Sequence, residues 1–86
     1  MALKLETDVE TRARRLEKWV ERDPGLLGGE PVFRGTRVPV TSLFQHLHAG
    51  DSLDDFLDDF PGVTREQAQS VLDLAGRYLL QEAQNQ

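Results

Sequence analysis

The sequence predicts a mainly α-helical small domain: three helices with a short β-hairpin, preceded by an N-terminal helix. Four apolar stripes recur at helical spacing, and each is bounded by capping or breaking residues. Between the first and second stripes lies a glycine-rich segment with apolar residues on both sides of a turn. The chain has 86 residues, one domain's worth. A chain of that size buries only roughly 60–65% of the surface its unfolded form exposes. With no cysteine, neither a disulfide nor a thiolate zinc site can reinforce it. Helix packing or a partner subunit must supply the rest, so a homodimer is expected.

The elements follow in order. Leu3 and Leu5 alternate with Lys4 and Glu6, a weak sign of an extended start. Thr7-Asp8-Val9-Glu10 reads as a capping box, and Val9, Ala13, Leu16 and Val20 form one face of a helix over 8–22. Asp23-Pro24-Gly25 stops it. Val32-Phe33 and Arg37-Val38 flank Arg34-Gly35-Thr36 as a tight hairpin or turn. Val40, Leu43, Phe44 and Leu47 mark the next helix, and Gly50 stands where a left-handed terminal residue is needed. Ser52 and Asp55 cap a third, carrying Leu53, Phe56, Leu57 and Phe60 and closed by Pro61-Gly62. Thr64-Arg65-Glu66-Gln67 opens the last, with Ala68, Val71, Leu72, Ala75, Tyr78 and Leu79 as its stripe. This divides the chain into an N-terminal helix for dimer or partner contact (1–23), a helical domain (24–80) and a polar, frayed tail (81–86).

Two capped helices joined by Pro61-Gly62-Val63 make the outline of a helix-turn-helix, homeodomain-like or winged-helix-like, with the helix from Thr64 in the recognition position. Charge weighs against a nucleic-acid partner. The net charge is −5, and residues 51–86 alone carry eight acids against Arg65 and Arg77. Phosphate binding needs clustered Lys and Arg. Residues 31–50, however, hold Arg34 and Arg37 and no acid. On the last helix Arg65 and Gln69 are residue types that read guanine and adenine, whereas Glu66 and Asp73 would meet phosphates unfavourably. The DNA-binding candidates are therefore Arg34, Thr36, Arg37, Arg65 and Gln69. The turn arginines can equally be explained as salt bridges to the acidic helix at 54–59.

No constellation points to catalysis, a cofactor or a metal. His46 and His48 lie two apart on a helix, pointing some 200° from each other, and read as surface histidines near a helix C-terminus. Asp54, Asp55, Asp58 and Asp59 lie opposite an apolar stripe, as the solvated face of an amphipathic helix does. No serine sits in a nucleophile elbow and no glycine pair makes a phosphate loop. A non-enzyme is expected. No apolar run approaches the roughly 18–20 residues that span a bilayer, and the first residues lack a signal peptide's pattern, so a cytoplasmic protein is expected. Arg12, Arg14 and Arg15 on the first helix, with Trp19, are the partner-binding candidates; Trp19 fits an interface hot spot or the margin of the core equally well.

The stretch Gly29-Glu30-Pro31-Val32-Phe33-Arg34-Gly35-Thr36-Arg37-Val38-Pro39-Val40 resembles the signature of a bacterial family, domain of unknown function 433. That family's pattern runs Gly-x-Pro-hydrophobic-x-x-Gly-Thr-Arg-hydrophobic-x-Val. Gly50-Asp51-Ser52, Phe60-Pro61 and the Thr64 helix follow in the family's order, and the likeness covers roughly residues 27–80. The resemblance implies a small helix-turn-helix fold. It also implies an antitoxin of a type II toxin–antitoxin operon that neutralises a PIN-like ribonuclease and binds its own promoter as a dimer. Gly35, Thr36 and Arg37 match the motif, with Arg34 just before it. A metal-dependent ribonuclease site is a carboxylate cluster, which arginines such as Arg12, Arg14 and Arg15 could occupy. The competing expectation is a protein–protein adaptor or dimerisation module with no nucleic-acid role.

Overall fold

The computed structural model describes residues 15–84, and these are mainly helical. The capping box expected at Thr7–Glu10, the start at Leu3 and Leu5, and the candidates Arg12 and Arg14 lie outside the described residues. The helix expected over 8–22 ends early. Residues 15–19 are helical (α1), and Val20–Glu21 form a strand, β1. Pro24 disfavours helical geometry at Asp23, so the chain must leave the helix before it. Leaving at Val20 puts that side chain in the core.

Val32–Phe33 form β2, antiparallel to β1 with Val20 opposite Phe33 and Glu21 opposite Val32. The two-stranded antiparallel pair expected here is thus present, but the partner of β2 is β1 rather than Arg37-Val38. The latter segment is reduced to a single bridge, Val32 to Pro39, beside the turn. Between the strands the chain reverses through a 3-10 turn at Leu27–Gly29. Three successive residues, Leu27, Gly28 and Gly29, take positive φ there. Two glycines lower the cost of that path, which Leu27 alone bears with a side chain.

The helices α2 (Val40–His48), α3 (Leu53–Asp59) and α4 (Arg65–Gln84) follow. Pro39 precedes α2 with extended dihedrals, and Gly50 takes φ 96° beyond its end. Ser52 closes the capping box on α3: its hydroxyl accepts from Asp55 N–H at 3.0 Å, and Asp55 Oδ2 accepts from Ser52 N–H at 2.9 Å. Thr64 and Gln67 repeat the arrangement at α4, with Gln67 N–H on Thr64 Oγ1 at 3.1 Å and Thr64 N–H on Gln67 Oε1 at 3.0 Å. Residues 81–84, expected to fray, continue α4 as helix.

The core is Val20, Val32, Phe33, Leu43, Phe56, Val63, Ala68 and Val71. Phe56 is its hub, with ring centroids 6.1 Å from Phe33 and 5.0 Å from Phe60. His46, expected on the surface, is instead packed edge-on between Phe56 and Phe60, each 5.5 Å away. Its Nδ1 is buried without an aligned hydrogen bond, although Asp51 Oδ2 lies 3.1 Å and Asp59 Oδ2 3.9 Å from it. α2 packs against α3 at this point, and the His46 ring fills the space between the two phenylalanines.

The Ser52 backbone N–H, and then the Ser52 side chain, hold the Asp55 carboxyl below its ordinary value of 3.8. A depressed folded-state value means that the carboxylate's contribution is present above the unfolded pKa and fades as pH falls through the folded one. The Ser52 amide resonance should therefore titrate with a midpoint below 3.8. A midpoint at or above that value would show the cap to be absent. Ser52→Ala should cost about 1 kcal/mol in urea unfolding, the usual loss for an N-cap.

Candidate partner-binding site

The Arg34–Arg37 turn is locked from inside. Phe33 N–H donates to Val38 O and Thr36 N–H to Phe33 O, both at 3.0 Å. The Thr36 hydroxyl donates to Phe33 O at 2.7 Å and accepts from Val38 N–H at 3.0 Å. Thr36 is therefore a brace of the turn. Gly35 sits at φ 78°, and its N–H donates to Glu21 Oε1 at 2.9 Å. Glu21 also pairs with Arg34, Nη1 to Oε2 at 3.6 Å. Arg34 Nε donates to Glu17 O at 2.6 Å, across the end of α1. Gln67 Nε2 donates to Arg34 O at 2.9 Å, which ties the turn to the first turn of α4.

The fold thus brings the turn and the start of α4 together, but it commits Arg34 and Arg65. Arg34 serves α1 and Glu21. Arg65 is ion-paired with Asp54 on α3. The salt bridges to the acidic helix, one of two equal explanations of the turn arginines, are not formed; Arg65 makes that contact and Arg34 turns the other way. Arg37 and Gln69 are exposed, and Arg37 makes no ion pair among the described residues. Arg15 is exposed on α1. Trp19 is half-buried against the core, with Lys18 Nζ 4.9 Å above its ring, so it stands at the core margin.

Gly35→Ala tests how far the turn depends on its backbone. A Cβ there would meet nothing within 4 Å, so the cost is conformational alone. It should be about 1–2 kcal/mol in urea unfolding, with Gly35→Asn costing less because asparagine tolerates the left-handed region. Equal destabilisation by both would point to a steric role instead.

A second feature is larger. An apolar groove of about 880 Å³ opens between α1, α2 and α4. Leu16, Val40, Phe44, Leu74 and Tyr78 line it, Val20 lies at its base, and Arg34 and Arg77 stand on its rim. Leu16 is 50% exposed and Tyr78 62%, although both fall on stripes expected to face the core. Only Ala68 and Val71 of the α4 stripe are buried, because the other described residues cover just the first part of that helix. Sequence reasoning missed the groove for this reason. The available signal was quantitative: the stripe on α4 is longer than so small a core can cover.

Among the described residues, no helix is long and apolar enough to cross a membrane. The architecture defines a small mainly helical domain with a tight helix–turn–helix pair and a two-stranded antiparallel edge. Within that class, the profile of the family described as protein of unknown function DUF433 matches residues 20–75, and the chain belongs to that family. A crystal structure of a DUF433 member protein from Anabaena variabilis ATCC 29413 has a similar fold, with a TM-score of 0.63 and 23% identity. That match covers 95% of this chain and 81% of the other. An uncharacterised protein, y4eO, from Sinorhizobium fredii (strain NBRC 101917 / NGR234) is 42% identical over 48 residues, or 56% of this chain. This chain spans 22% of that relative's length.

Proposed function

We propose that this protein is the antitoxin of a type II toxin–antitoxin system that neutralises a PIN-like ribonuclease by protein–protein binding. The observation that carries the reading is the open apolar groove flanked by α1 and the second half of α4. Exposed contiguous apolar surface rimmed by polar groups marks protein interaction sites. Arg34 and Arg77 also line the groove, but each is already paired within the chain, with Glu21 and Asp73 respectively, so apolar contact carries the binding. On this reading the protein is not an enzyme, works in the cytoplasm and needs no cofactor.

Operator binding as a dimer is the second half of the proposal, and it rests on Arg37 and Gln69, with Arg65 after release from Asp54. The internal commitment of Arg34 and Arg65, together with a net charge of −5, favours the rival reading of an adaptor with no nucleic-acid role. Co-expression with the product of the adjacent gene, followed by affinity capture and a growth assay, tests the first half. A co-eluting complex and rescue of growth are expected; neither appearing would remove the antitoxin reading. Binding to upstream DNA that weakens steeply with salt is expected of a repressor, and its absence would leave the adaptor.

A further inference from the structure

A face of α4 distinct from the groove is also without a partner among the described residues. Leu79 and Leu80 are 67% and 63% exposed. Gly76, Leu79, Leu80 and Ala83 follow the spacing i, i+3, i+4, i+7, which places them within roughly 100° of one another around the helix. None of the four lines the groove. A Cβ at Gly76 would meet nothing within 4 Å, so that glycine is not required by intramolecular packing.

We infer that this stripe is the contact between two copies of the chain, packed antiparallel about a two-fold axis passing between Leu79 and Leu80. The pattern small–large–large–small reads the same in both directions. An isologous antiparallel contact needs that property, since Gly76 of one copy then faces Ala83 of the other and Leu79 faces Leu80. Small residues at the two ends let the helices approach while four leucines fill the centre. Charge selects the same orientation. The body of the domain packs on the first part of α4, through Ala68 and Val71. A parallel pair would set two bodies, each from a chain of net charge −5, side by side; the antiparallel pair carries them to opposite ends. Arg77 brings no unpaired charge, being held by Asp73 Oδ2 at 3.1 Å. The stripe is short, and it buries less than the ~800 Å² per partner of a standard interface. The association is accordingly weak and concentration-dependent.

The inference is independent of nuclease neutralisation but supplies the dimer that the operator-binding half of the reading needs: a monomer that still captures its nuclease would sink the inference and that half, and leave neutralisation. Sedimentation velocity of the full chain across micromolar to millimolar concentrations should show a monomer–dimer equilibrium. Leu79→Glu with Leu80→Glu should weaken it at least ten-fold. Gly76→Gln, which favours the isolated helix while holding two helices apart, should weaken it too without loss of helicity. Because the chain has no cysteine, single introduced ones report proximity cleanly. Leu79→Cys should oxidise to a covalent dimer, whereas Gln69→Cys, roughly 30 Å from its symmetry mate at 1.5 Å rise per residue, should not. A chain that stays monomeric throughout, a dimer indifferent to the glutamates, or ready cross-linking at position 69 would each overturn the inference.

Discussion

Phe56→Ala is expected to remove about half of the domain's stability and to lower its melting temperature by more than ~12 °C. Phe56 is fully buried and touches rings from three directions: Phe33 from β2, His46 from α2 and Phe60 at the end of its own helix. Removing a buried phenylalanine costs about 3–5 kcal/mol, part of it lost transfer energy and part the cavity left behind. A domain this small has a total stability on the order of 5–10 kcal/mol. The loss thus consumes about half of what holds the chain folded. Thermal melting followed by circular dichroism should show a fall of more than ~12 °C, given about 4–8 °C per kcal/mol at this size. Phe60→Ala is the comparison. Phe60 is only half-buried and should cost clearly less. Similar losses for the two would mean that the core is centred elsewhere.

Phe56 also shows what the sequence makes legible. Its helix is short and strongly periodic, starts at a Ser52–Asp55 capping box and stops at Pro61-Gly62, and every local signal agrees with the fold. The strands were less legible. Two residues are too few to display an alternating pattern, and Val20 is in phase with the helical stripe that begins at Val9. What decides its conformation is long-range: the pairing with Phe33 and the Glu21 carboxylate that receives the Gly35 N–H. Periodicity carries no information about either.

The candidate site divides the same way. The Gly-Thr-Arg segment stands out in the sequence as a turn with special backbone needs, and Gly35 meets that expectation. The fate of its side chains does not follow from composition. Thr36 is consumed by the turn and Arg34 by α1 because the strand pair draws Glu17 and Glu21 alongside. Asp54 reaches Arg65 because α3 and α4 are joined by a tight turn, although they are eleven residues apart in sequence. Asp54 thus takes up the first cation of α4, and among the described residues the exposed apolar side chains of that helix remain open to a partner.

On the proposed antitoxin reading, Phe44→Glu and Tyr78→Glu should each weaken capture of the nuclease about thirty-fold or more while leaving the fold intact. Phe44 is 39% exposed and Tyr78 62%, so neither glutamate is forced into the core. Both side chains face the same groove from opposite walls, α2 and α4, where one inserted helix would touch them together. Aromatic residues at the centre of such a site typically carry 2 kcal/mol or more of binding energy, about thirty-fold in Kd. A buried carboxylate in their place adds a desolvation cost on the partner's side. Asp58→Asn is the control, an exposed position on α3 outside the groove, and it should bind as the parent does. The salt dependence separates the forces involved. Binding dominated by the apolar groove should persist at high ionic strength, while a complex held by the rim arginines should weaken. If the glutamate variants captured the nuclease unchanged and Asp58→Asn did not, the acidic face of α3 would be the docking surface, and the groove would have no part in neutralisation.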